Sequence, residues 1–447
     1  MNVSHNIDSK NNGVLTVEIE QSDFAGNVEK ALLDYRKRAN IPGFRVGMAP
    51  LGMIKKQYES SVRTDEVNKL LQDGLFNYLD SEKLEILGQP LPVPNTVDFS
   101  GSKFQVEFEI GVAPQFILDL SEKIKLPYHQ IKIEQSTLDE EMLNLQNRYG
   151  KMSEVEEVGK DDVLFGDFVE IDKKGNVLEN GLVKESRLGV KSISDKRLKK
   201  ESLLMKKGDF ISLSASKSFE DGFDLLQVLG LSDDEKGSTI GLFQLRLKTI
   251  YHVEPASIDK DLFDKVFGQD SISTEADFRK KVQDDIEGLY KRDADIHFFN
   301  TVTDHLMKTK MNLPEDFMKK WISQQGENPP SMFEINDQWD QTEKAMRWQL
   351  IEGKLQREQH IHVGKEELVA YAVKMVKSRM SQYGQMMSDP EVEKLAVSVL
   401  ENREQAEQLS EQLLQDKMLE FFKGIFSLKL VDITYPNFLK LAQKGKK

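Results

Sequence analysis

Ile41-Pro42-Gly43-Phe44-Arg45-Val46-Gly47-Met48-Ala49-Pro50 lies between two segments with helical patterning. Two prolines bracket two glycines. Proline fixes φ and glycine permits sharp turns, so the loop is expected to hold a defined, protruding shape with Phe44 and Arg45 near its centre. Upstream, Ser22 is placed to cap a helix carrying Val28, Leu32 and Tyr35 on one side. Downstream of Pro50, Ile54, Tyr58 and Val62 recur at spacing four, followed by Leu71, Leu75 and Leu79. Strands flank this helix pair. Leu15, Val17 and Ile19 alternate with Thr16 and Glu18, and Phe104, Val106, Phe108 and Ile110 alternate with Gln105, Glu107 and Glu109. Residues 1–112 therefore read as an α+β domain.

The loop and its flanks are basic. Lys30, Arg36, Lys37, Arg38, Arg45, Lys55, Lys56 and Arg63, set against Glu29, Asp34, Glu59 and Asp65, leave +4 over residues 29–65 in a chain of net charge −14. An aromatic beside a guanidinium is a common contact pair on a partner surface. Composition alone favours the plainer arrangement, a helix–helix turn with Phe44 tucked inward.

The 447 residues suffice for several domains with cores of their own. The absence of cysteine removes disulfides, thiolate nucleophiles and Cys-ligated metal sites. The start, MNVSHNIDSKNNGVLTVEIE, lacks a basic residue run leading into an apolar one, and no stretch of about 18 apolar residues follows anywhere. The expectation is a cytoplasmic protein that does not engage a membrane.

Residues 113–150 read as a connector, punctuated by Pro114 and Pro127 and ending in a helix with Leu138, Met142 and Leu145. Residues 151–253 read as a small β-rich domain. Its short apolar runs, Val163-Leu164-Phe165 and Phe168-Val169-Glu170-Ile171 among them, alternate with Lys-Gly-Asn and Lys-Gly-Asp turns. From residue 254 to 447 the patterning is almost wholly helical. Thr274 and Asp277 can form a capping pair, and Phe278, Val282, Leu289, Ile296, Phe299 and Leu306 are expected to line one face of a long helix. Val369, Val373, Val376, Met380, Tyr383 and Met387 make an a/d stripe. The stripe is most simply the seam of an antiparallel helix pair. Met375, Met380, Met386 and Met387 also suit an adaptable surface for varied apolar segments.

Common catalytic signatures are missing: there is no P-loop, dinucleotide fingerprint, H-E-x-x-H or G-x-S-x-G. His360 and His362 stand two apart, a poor chelate on a helix, and nothing nearby completes a metal shell. Neither a metal nor any other cofactor is called for.

Gly43-Phe44-Arg45-x-Gly47-x-x-Pro50, followed by a helix with Tyr58 and Val62-Arg63, resembles the ribosome-binding loop of bacterial trigger factor. Phe108-Glu109-Ile110-Gly111-Val112-Ala113-Pro114, Phe263-Asp264-Lys265-Val266-Phe267-Gly268 and Asn312-Leu313-Pro314 extend the resemblance, in order, along the whole chain. It implies a multi-domain α+β protein. Residues 1–112 would be the α+β ribosome-binding domain, and 151–253 a β-rich, FKBP-like middle domain. Residues 113–150 and 254–447 would form an all-α C-terminal chaperone domain with helical arms.

The function so implied is an ATP-independent chaperone docked on the large ribosomal subunit near the exit tunnel, against protein and ribosomal RNA. Its clients would be nascent and unfolded polypeptides, and a homodimer off the ribosome is among the states it allows. Alternatives are an active FKBP-type peptidyl-prolyl cis–trans isomerase and a ribosome-independent holdase. Ribosome binding carries over to Gly43, Phe44, Arg45, Gly47 and Pro50, with Lys55, Lys56 and Arg63 as supporting cations. Client binding is expected at Met375, Met380, Met386 and Met387. Two departures stand out. Val46 and Met48 replace the lysines of the usual Phe-Arg-Lys-Gly-Lys. Ser192-Ile193-Ser194-Asp195-Lys196-Arg197 stands where the isomerase domain carries Pro-Gly-Phe-Glu, so no catalytic residue is assigned and Asp195, Lys196 and Arg197 are expected to spoil the apolar pocket floor.

Overall fold

The computed structural model describes residues 1–42, 44–93, 101–179, 181–219, 223–232, 236, 239, 241–382 and 388–444. The chain divides into two compact units. One gathers residues 1–127, 298–362 and 414–429; the other gathers 128–297, 363–413 and 430–447.

In the first unit, β1 (Asn2–Ile7), β2 (Asn12–Glu20), β3 (Ile86–Pro92) and β4 (Lys103–Val112) form an antiparallel sheet in the order β1-β2-β4-β3. Leu15 lies opposite Phe108, Val17 opposite Val106 and Ile19 opposite Phe104, so the period-2 apolar residues of both central strands stack in register. Two helices, α1 (Gln21–Arg38) and α2 (Leu51–Ser81), cover the buried face with Phe24, Val28, Leu32, Ile54, Val67, Leu71, Leu75 and Leu79. The cap of α1 is Glu20 rather than Ser22, which lies inside the first turn. Glu20 and Asp23 form a reciprocal capping box. The Met1 ammonium, 2.6 Å from Asp23, and the Glu20 N–H together hold the Asp23 carboxyl below the ordinary aspartate value.

The sheet's other neighbours come from far along the chain. Phe317 and Met318 of α8 (Glu315–Ile322), Ile335 of α9 (Met332–Asp337) and Trp339 at the start of α10 (Trp339–Glu358) form a buried cluster, with Leu87 and Leu91 of β3 packed on it. Lys320 pairs with Glu109 at 2.8 Å, and the Phe317 N–H donates to Asn12 Oδ1 at 3.1 Å.

The connector supplies β5 (Lys125–Lys132), which belongs to the second unit from residue 128 on, and α3 (Gln135–Arg148), wholly within that unit. The β-rich part contains β6 (Lys151–Val155), β7 (Val163–Glu170), β8 (Val183–Gly189), β9 (Phe210–Ser214) and β10 (Leu242–Glu254), in the order β6-β10-β7-β8 with β9 also on β10. The runs 163–165 and 168–170 are one continuous strand, because Gly166 passes against the Arg246 carbonyl where a Cβ would clash. Short helices α4 (Lys196–Ser202) and α5 (Leu225–Val228) border a core of Leu164, Phe168, Leu188, Ile193, Phe243 and Leu245.

Two further helices follow, α6 (Lys260–Phe267) and α7 (Glu275–Leu306). Thr274 and Asp277 form the expected cap. The buried stripe of α7 is Phe278, Val282, Ile286, Tyr290, Ala294, Phe298, Val302 and Leu306, an unbroken spacing of four. Leu289 and Ile296, expected on that face, are 55% and 56% exposed. The remaining elements are α11 (Lys365–Gln382), α12 (Asp389–Glu401), α13 (Arg403–Ile425), β11 (Ser427–Thr434) and α14 (Tyr435–Lys444). β11 pairs with β5, adding one strand to the otherwise helical C-terminal region.

Gly88 tests the long-range packing in the first unit. Its φ is +76°, and a Cβ would lie 2.7 Å from the Trp321 ring. Gly88→Ala is expected to destabilise this unit by about 1–3 kcal/mol, through backbone strain and overpacking. The measurement is a lowered denaturant midpoint with altered tryptophan emission.

Candidate functional site

The turn between α1 and α2 is pinned from inside. Ile41 and Ala49 are buried in the first unit's core, at 8% and 2% exposure. Between them the backbone makes two tight turns, closed by Phe44 N–H to the Ile41 carbonyl at 3.0 Å and Met48 N–H to the Arg45 carbonyl at 2.9 Å. Gly47 sits at φ +83°, a conformation that side chains rarely adopt. At the base, the Tyr35 and Tyr58 rings meet at 4.6 Å, and their hydrogen bond raises the Tyr35 phenol pKa above its ordinary value.

With Ile41 and Ala49 taking the inward positions, Phe44 points outward at 38% exposure, which corrects the plainer expectation that it tucks in. Arg45, Val46, Met48 and Pro50 are exposed beside it, as are Lys37, Arg38 and Lys56; Lys55 is half-buried. Val46 and Met48 are 53% and 66% exposed, so the tip presents aliphatic surface between cations. Gly43 lies outside the described residues. Arg63 is occupied elsewhere. Its guanidinium stacks over Phe24 at 4.6 Å and donates to the Gly101 carbonyl, which fastens α2 to the start of β4.

In the β-rich part, the expectation for Asp195, Lys196 and Arg197 is corrected. Asp195 caps α4 by accepting from the Arg197 and Leu198 N–H groups, while Lys196 and Arg197 face solvent. The buried residues of this segment are Val190 and Ile193, both fully enclosed, and Ile193 bridges to Phe219, whose ring packs at 4.7 Å on Phe223. The region is therefore apolar inside. Glu170, which no sequence motif marks, is a buried carboxylate that accepts from the Leu182 N–H at 3.0 Å and the Thr239 hydroxyl at 2.6 Å. An acidic residue closing an apolar strand run was the available signal.

In the helical region, Ala372 of α11 is fully buried, as are Val392 and Ala396 of α12, and Lys377 bridges the two helices to Asp389 at 2.8 Å. Val369, Val373, Val376 and Met380 are half-buried along the seam, whereas Met375 is 41% exposed. Tyr383, Met386 and Met387 lie outside the described residues. His360 and His362 sit in the turn after α10, with His362 Nδ1 at 2.9 Å from the His360 carbonyl.

A pinned basic tip on an α+β domain, a β-rich module and a helical region make up a modular chain. Three family models match in series: "Bacterial trigger factor protein (TF)" over residues 1–145, "Probable trigger factor, FKBP-like domain" over 152–255 and "Probable trigger factor, C-terminal domain" over 294–442. The chain belongs to the trigger factor family, a family of chaperones. It is 23% identical to the trigger factor of Treponema denticola over 478 aligned residues, covering 96% of this chain and 97% of the relative. It is 20% identical to that of Chlorobaculum parvum, covering 81% and 83%. A solved structure described as "Promiscuous Substrate Recognition in Folding and Assembly Activities of the Trigger Factor Chaperone" superposes with a TM-score of 0.50 at 16% identity, covering 94% of this chain and 99% of that one.

Replacing Glu170 by alanine leaves the Leu182 N–H and the Thr239 hydroxyl without their acceptor. Glu170→Ala is expected to cost about 1–3 kcal/mol. Thermal denaturation should shift down, and hydrogen exchange should accelerate first in residues 171–182.

Proposed function

We propose that this chain docks on the large ribosomal subunit near the exit tunnel through the Phe44–Arg45 tip. There, in the cytoplasm and without ATP, it shields nascent and unfolded polypeptides. The observation that carries the reading is the outward Phe44–Arg45 pair on a loop held by Ile41 and Ala49. A loop backbone already fixed by two turns loses little further entropy when the aromatic and guanidinium it carries dock. The lack of a P-loop in the sequence supports an ATP-independent cycle. Release then depends on binding being weak and multivalent. Residues 113–150 and 254–447 are assigned to client binding, with Met375 and Met380 as adaptable contacts. The wholly exposed run 326–331 breaks this region between α8 and α9.

The tip departs from the usual cation-rich loop in a way that shapes the contact. Apolar burial at Val46 and Met48 contributes where lysines would otherwise release counterions from RNA. Ribosome binding is therefore expected to weaken less with salt than a lysine-bearing tip would.

Phe44→Ala/Arg45→Ala should lower ribosome co-sedimentation at least tenfold at unchanged thermal stability. Unchanged sedimentation removes the docking assignment. Val46→Lys/Met48→Lys should steepen the salt dependence of binding. Met375→Glu should weaken suppression of client aggregation, read by light scattering of a refolding substrate, because a carboxylate is costly to desolvate against an apolar segment.

A further inference from the structure

His129 of β5 is 8% exposed, and its Nδ1 is buried without a hydrogen bond. Its ring meets that of His297, on α7, edge-to-face at 5.0 Å. Phe438 of α14 closes over both, at 6.2 Å from His129 and 5.4 Å from His297. Three elements distant in sequence thus meet at two imidazoles and one benzyl ring.

Charged and phenolic groups on the packed elements surround the joint. On α7, Asp295 accepts from the Tyr128 hydroxyl of β5 at 2.6 Å, and Asp293 accepts from the Tyr435 hydroxyl of α14 at 3.1 Å. On β11, Asp432 pairs with Lys132 of β5 at 3.3 Å. Glu287, Lys291 and the Tyr290 phenol line the adjoining cleft of about 470 Å³ that reaches His129, and the two charged groups among them oppose each other in sign. Tyr290 also stacks on Tyr435 at 4.3 Å.

We propose that the His129–His297 pair under Phe438 is an acid-sensitive latch for the C-terminal helix α14: protonation opens the joint, lifts α14 and uncovers the apolar surface beneath it. The closed joint favours a neutral His129. Burial first, and then repulsion from His297, lower its pKa below the ordinary histidine value. In the opened state the His129 ring meets water and takes the ordinary value near 6.5. The closed form is therefore at full strength above that pH and is lost as pH falls below it, because only the open form takes up the His129 proton. One unit below 6.5, this raises the open population up to about tenfold.

Hydrogen exchange of the full-length chain at pH 7.5 and 5.5, corrected for intrinsic rates, tests this. Peptides over residues 435–444 and 125–132 should lose protection in acid, by up to roughly tenfold in opening constant. Binding of an apolar dye should rise in parallel. His129→Gln should abolish the response. Acid-stable protection in the wild type, or an equal acid response in His129→Gln, overturns the latch. Should the variant fold poorly, imidazole proton NMR of the wild type decides. Titration of His129 at its ordinary value while α14 stays protected overturns it as well, whereas depressed titration that coincides with loss of protection supports it.

Discussion

A four-stranded sheet with one continuous apolar face, and a second apolar patch at Leu87 and Leu91 of β3, needs cover at both places, and the first unit is arranged around that requirement. One face carries Leu15, Val17, Ile19, Val106 and Ile110 and takes α1 and α2 as its lid. At the far edge, Gly88 and Gly111 offer bare backbone where Trp321 and Phe317 approach. No side chain larger than hydrogen fits at those contacts, so the two glycines determine how closely residues 315–339 approach β3 and β4. The tip that presents Phe44 and Arg45 depends on the same sheet, because Ile41 and Ala49 end in the core that α1 and α2 build over it.

The strands and helices legible in the sequence are those whose pattern is strict. β2 and β4 follow unbroken period-2 alternation, and α2 shows Leu71, Leu75 and Leu79 at spacing four. The long helix α7 was half legible. Its true stripe runs through Tyr290 and Ala294, which hydrophobic counting undervalues, and so Leu289 and Ile296 drew the pattern onto solvent. β11 was invisible because Ser427–Thr434 is mostly half-exposed and pairs with β5, some 300 residues earlier. The α1 cap was misplaced by two residues because Glu20 caps with its longer side chain and leaves Ser22 inside the helix.

At the candidate site, the Pro/Gly frame announced a shaped turn, and that turn exists. The orientation of Phe44 was not legible, since it depends on Ile41 and Ala49 outcompeting it for the interior, and composition ranks an aromatic above an alanine for burial. Arg63 illustrates the converse. Charge alone placed it with the partner-facing cations, but cation–π stacking on Phe24 and the Gly101 carbonyl engage it. In the β-rich part, Asp195 looked like a defect in a pocket and proves to be a helix cap. Glu170 looked like a strand end and proves to tie Leu182 and Thr239 to the core.

The partnership of Gly88 with Trp321 carries a consequence for biosynthesis. A chain emerges from its N-terminus, and the sheet is complete once residue 112 is out, yet the cluster around Trp321 and Trp339 follows about 230 residues later. At roughly 5–20 residues per second, that interval is on the order of ten to fifty seconds. Throughout it, Leu87 and Leu91 wait without the side chains that finally bury against them. Until then the newborn protein carries an uncovered apolar edge on a sheet that is otherwise complete, so its last packing step waits on synthesis rather than on folding.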